Sequence, residues 1–92
     1  LEYYLVEAAI TDGENEYRLK IILVTADKTI CWDILARKYF RNYFGEDTRA
    51  DEQDWRRFWA PNDERCVTIK DGQELTEAEF DFLKHFINTS TV

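Results

Sequence analysis

From Glu2 to Thr11 the chain alternates, with Tyr4, Val6, Ala8 and Ile10 on one side and Tyr3, Leu5, Glu7, Ala9 and Thr11 on the other. A period of two is the signature of a strand. Asp12-Gly13 heads the turn DGEN, a strong hairpin signal. The return strand, Glu16 to Val24, places Tyr17, Leu19, Ile21 and Leu23 on one face. Its other face starts with Arg18 and Lys20 and ends in Ile22 and Val24, a gradient that predicts cover at one end only.

The period then changes. From Asp27 to Phe44 the segment DKTICWDILARKYFRNYF has neither Gly nor Pro, and Gly45 follows as a left-handed helix end. At 100° per residue Cys31, Trp32, Leu35, Ala36, Tyr39 and Tyr43 form the inner arc. Thr25 or Asp27 is the expected cap, because either oxygen reaches a free amide of the first turn. The outer side carries Ile30, Ile34, Phe40 and Phe44 among Asp33, Arg37 and Arg41, so this helix is expected to be covered on both sides. Those four apolar residues, exposed together, would make a self-association patch.

After an acidic loop at 46–54, Trp55–Trp59 reads as a short strand and Arg65–Lys70 as its partner. A helical turn at DEQDWRRFW is the alternative, since Trp55, Phe58 and Trp59 also stand at helical spacing. Asp71-Gly72 predicts another turn. Thr76 and Glu79 form a capping box, and the helix they open presents Phe80, Leu83, Phe86 and Ile87 along one side. Asn88 and the last four residues end it. The expectation is one α+β domain of 92 residues in β-β-α-β-β-α order. Its mainly antiparallel sheet of four strands has the long helix across one face and the C-terminal helix packed alongside, in two layers.

Charge and chemistry narrow the function classes. The net charge is −7, which disfavours non-specific binding to nucleic acid or anionic lipid and favours a basic partner. No stretch approaches the roughly 20 apolar residues that span a bilayer, and no leader pattern is evident. The two cysteines, Cys31 and Cys66, are expected as buried thiols in a reducing cytosol, with a helix-to-sheet disulfide as the alternative. One imidazole, His85, and two isolated cysteines make no metal ligand set. The three glycines all fall at turns, so no phosphate loop is formed, and no base stands near a nucleophile. The expectation is a non-enzymatic protein with no cofactor and no metal.

Two features point to binding. Asp12, Glu14 and Glu16 at the hairpin tip, with Glu46, Asp47, Asp51, Glu52 and Asp54 after the helix, form an acidic surface if the fold joins them. The other reading of these residues is a solubilising face. Arg37–Tyr43 and Trp55–Trp59 interleave arginine with rings, the combination that single-stranded nucleic acid requires. The balance favours a protein-binding module of cytoplasmic location. It would be an inhibitor or immunity-type protein of a phage, mobile element or defence system, occluding a basic nucleic-acid-handling partner. Single-stranded nucleic-acid binding, or a small homodimeric adaptor, is the alternative.

Overall fold

A computed structural model describes residues 1–44, 49–50, 56–60 and 65–92, with 43–44 and 49–50 described by backbone only. It has the expected α+β fold and order, extended by two short strands. The elements are β1 (Glu2–Asp12), β2 (Asn15–Thr25), α1 (Trp32–Phe44), β3 (Arg49–Ala50), β4 (Arg57–Trp59), β5 (Arg65–Leu75), α2 (Glu77–Leu83) and β6 (Thr89–Thr91). The sheet has six strands in the order β3-β4-β5-β1-β2-β6. Every pairing is antiparallel except that of β6, which runs parallel to β2.

The β1–β2 hairpin follows its sequence pattern throughout, from Glu2 opposite Thr25 to Asp12 opposite Asn15. Its two-residue loop begins at Gly13, whose φ of 62° belongs to the left-handed region and suits glycine. One side of the hairpin supplies Tyr4, Val6, Ala8, Ile10, Ile21 and Leu23 to the main core. Against these pack Leu35, Ala36 and Phe40 from α1, with Phe58, Val67 and Ile69 from β4 and β5.

The segment before α1 departs from expectation. The helix starts at Trp32, and the Leu35 amide donates to the Cys31 carbonyl at 3.2 Å. Neither proposed cap serves it. Asp27 instead accepts from the Thr29 amide and hydroxyl at 2.9 and 2.6 Å, and the Thr25 hydroxyl accepts from the Asp27 amide. These local bonds close a turn that competes with helix, as short polar side chains do.

Asp71-Gly72 is not a turn either. β5 runs straight through it as an 11-residue strand. The register against β1 slips by one residue between Glu7 and Ala8, leaving Lys70 as an inserted bulge residue. One extra residue exchanges the two faces of everything beyond it. Val67 and Ile69 point to the main core, yet Leu75 belongs to the opposite side. Gly72 now lies beneath α1, where a Cβ would stand only 2.3 Å from the Trp32 ring. Only glycine lets that ring lie on the strand.

The other side of the sheet holds a smaller cluster. Ile22, Val24 and Leu75 are buried under Phe80, Leu83 and Ile87, with Tyr3 and Leu5 beside them. Tyr3 stacks on Phe80 with centroids 4.1 Å apart and planes 12° apart. α2 therefore covers the face opposite α1, and does not lie alongside it. The alternation of β1 decides this, because Tyr3 and Leu5 point away from Tyr4 and Val6. The Thr76–Glu79 capping box is present as expected. The tail does more than end the helix: β6 pairs with Ile22–Val24.

Candidate functional site

Only part of the expected acidic surface can be placed. Asp12, Glu14 and Glu16 are exposed around the hairpin tip, where Arg65 stands opposite Asp12 in the sheet register. Glu46, Asp47, Asp51, Glu52 and Asp54 lie outside the described residues. The apolar self-association set does not assemble. Phe40 is fully buried in the main core, Ile30 packs against that core, and Ile34 stands 55% exposed. The side chain of Phe44 is outside the description. The helical arc was drawn too narrow: Phe40 stands one turn after Ala36, about 40° round the helix from it, and shares its buried side.

The basic-aromatic segment is split by strand alternation. Arg56 sits over the Trp32 ring, 5.3 Å from its centroid, on the α1 side. Arg57 and Trp59 point to the opposite side, where the sheet beyond α2 has no helix over it. There an open cleft of about 630 Å³ is lined by Thr11, Asp12, Gly13, Arg57, Trp59, Cys66 and Thr68. The strand reading of the Trp55–Trp59 segment is the correct one for Arg57–Trp59. Arg57 lies opposite Thr68, and its Nε–H donates to the Thr68 hydroxyl at 3.3 Å. That bond anchors the guanidinium of a residue that lines the cleft, and a guanidinium is a group suited to an anion. A second hollow of about 190 Å³, between Leu5, Glu7, Lys20, Asp71 and Gln73, continues the same face toward α2.

One surface was not anticipated. Phe82 and Phe86 are 65% and 75% exposed, and their rings meet at a centroid distance of 5.4 Å. Phe86 was expected on the buried side with Phe80, Leu83 and Ile87. The helix ends at Leu83 and the chain turns, so the helical period no longer fixes where Phe86 points. The signal in the sequence was Phe82 itself, an aromatic residue off the apolar stripe. The same helix exposes Glu77, Glu79 and Asp81; Glu79 accepts from the Thr76 amide at 2.9 Å, and Lys84 bonds Asp81 at 3.2 Å.

The titratable groups with shifted equilibria cluster elsewhere. Burial raises the Tyr4 phenol, helped by the charges of Glu2, Glu74 and Cys31. Glu74 is raised by its hydrogen bond and repulsion with Glu2. Hydrogen bonds from Thr29 lower Asp27, and those from Thr76 lower Glu79. None of these lines the larger cleft. Cys31 is exposed, against the expectation of burial, because it precedes the helix; Cys66 is partly buried, and no disulfide joins the two. His85 is exposed. Among the described residues no group of three or more His, Cys, Asp or Glu is placed to hold a metal ion. Among the same residues no helix is long and apolar enough to cross a membrane.

No family model, curated protein or solved structure matches this chain.

Proposed function

We propose that this protein is a non-enzymatic protein-binding module that occludes a basic partner, in the manner of an inhibitor or immunity-type protein. The observation that carries the reading is the exposed Phe82–Phe86 pair, at the end of a helix whose exposed residues include Glu77, Glu79 and Asp81. Two large rings exposed to water, one on the capped helix and one in the turn after it, are the composition of an interface anchor, and acidic neighbours in the chain favour a positively charged counterpart. Asp12, Glu14 and Glu16 at the hairpin tip offer a second acidic contact. Affinity capture with mass spectrometry tests the reading: a basic protein should be retained by the native chain and released as salt is raised. Phe82→Ser with Phe86→Ser should abolish retention without unfolding the chain. Retention unchanged in that variant, and in a Glu77→Lys, Asp81→Lys variant, removes α2 as the interface.

One observation favours a second reading. Arg57 and Trp59 share an open sheet face, and a guanidinium beside an indole meets the needs of a phosphate and a stacked base. The net charge of −7 opposes that encounter. A labelled single strand shifted at low salt by the native chain, and by neither Arg57→Glu nor Trp59→Ala, would establish it.

A further inference from the structure

The outer edge of β2 is only partly used. β6 takes Ile22–Val24, with the Ile22 amide donating to the Asn88 carbonyl and the Val92 amide to the Val24 carbonyl, each at 2.9 Å. In an antiparallel strand, alternate residues turn their backbone groups to alternate sides. Ile22 and Val24 bond outward, so Glu16, Arg18 and Lys20 do the same. Among the described residues no strand pairs with β2 there. Charged residues on such an edge ordinarily repel foreign strands. Here the sign changes along the edge, which refuses most sequences but complements an antiparallel copy of itself.

We propose that this edge pairs with the same edge of a second copy, about a two-fold axis passing beside Tyr17. Glu16 of each copy then faces Arg18 of the other, Glu14 comes level with Lys20, and the two Tyr17 rings lie opposite each other. Residues opposed across a sheet share a face, so the neighbouring registers are those centred on Asn15, Glu16, Arg18 and Leu19. They set, in turn, Glu14 against Glu16, Glu16 against Glu16, two guanidiniums against each other, and Arg18 against Lys20. The Tyr17 register alone opposes no like charges. It also fits the length of the edge, because each hairpin tip ends level with Lys20, just before β6 takes over at Ile22. Tyr17 is 45% exposed, so its ring has surface to bury. The interface is isologous and closes as a dimer, with one sheet continuous through both copies. It uses neither the α2 aromatic pair nor the cleft.

Tyr17 would be a non-hydrogen-bonded pair, with Cα atoms roughly 4.5 Å apart, within disulfide reach. In a chain carrying Cys31→Ser and Cys66→Ser, Tyr17→Cys should therefore cross-link two copies under mild oxidation. Leu19→Cys, which faces Asn15, should not. Light scattering after size exclusion should give the mass of two chains for the native protein. Glu16→Arg turns both ion pairs into like-charge contacts and should weaken the dimer about tenfold at exposed-pair strengths, with the circular dichroism spectrum unchanged. A one-chain mass at the highest soluble concentration overturns the proposal. So does a dimer in which Leu19→Cys links as fast as Tyr17→Cys.

Discussion

The two faces of the sheet are built from the same strands and end up with different roles. Under α1 the face is closed: Val6, Ala8, Leu23, Ala36, Phe40 and Val67 have no exposed surface at all. On the α2 side the buried cluster among the described residues is small, Ile22, Val24 and Leu75, and toward the hairpin tip that face carries the two hollows. Strand alternation allows this division, since each residue on β1 or β2 serves one face without constraining the other. The closed face holds the fold. The open one is free to carry Arg57, Trp59, Lys20 and the other groups that meet the surroundings.

The sharpest way to break this contrast is to remove a ring from each side. Phe40→Ala should cost about 3–5 kcal/mol, the usual price of emptying a fully buried aromatic site, read by urea or guanidinium unfolding. Phe86→Ala, at an exposed ring, should move stability by less than about 0.5 kcal/mol in the same titration. Equal losses at the two sites would mean that the α2 surface belongs to a core.

The bulge that joins the two faces comes next in size. Gly72→Ala drives a methyl into the Trp32 ring and should destabilise by about 1–3 kcal/mol, with a change in tryptophan fluorescence. Adding Trp32→Ala should remove most of the extra penalty, a coupling read from the double-mutant cycle. If the two losses simply add, the contact is not what requires glycine.

At the end of the α2 face, Thr76→Ala removes the capping hydroxyl and should cost about 0.5–2 kcal/mol, by thermal melting. The smallest effects are those of pH. Glu79 titrates below its ordinary range in the folded chain, so its contribution is present above the unfolded value and fades as pH falls through the folded one. The native melting temperature should fall over that acidic window more than that of Glu79→Gln. Glu74 has the opposite sign: it is raised by Glu2, so its ionisation disfavours the fold as pH rises from the unfolded value through the folded one. Glu74→Gln should therefore raise the melting temperature above that window and leave it unchanged below.

Much of the hairpin was legible from local pattern. Its register follows from period two and one glycine turn, and the polar-to-apolar gradient on β2 correctly foretold cover at one end. The capping box was legible for the same reason, because it needs only residues three apart. The self-association patch was not, because Phe40 sits at the border of the helix's apolar arc and only packing against the sheet settles on which side it falls. Phe86 was misassigned because its helix stops before reaching it. The candidate surfaces were the least legible: Arg56 and Arg57 are neighbours in sequence and lie on opposite faces.

By itself, then, the sequence determined the elements whose hydrogen bonds and periodicity are local: the hairpin, the capped second helix, and the α+β order. Tertiary structure decided what depends on long-range register. The bulge at Lys70 set which residues of β5 face which helix, and the tail became a parallel strand only because Ile22–Val24 had an open edge to offer. A single inserted residue reverses a strand's faces at no visible cost in composition, and only the partner strand reveals that it has happened.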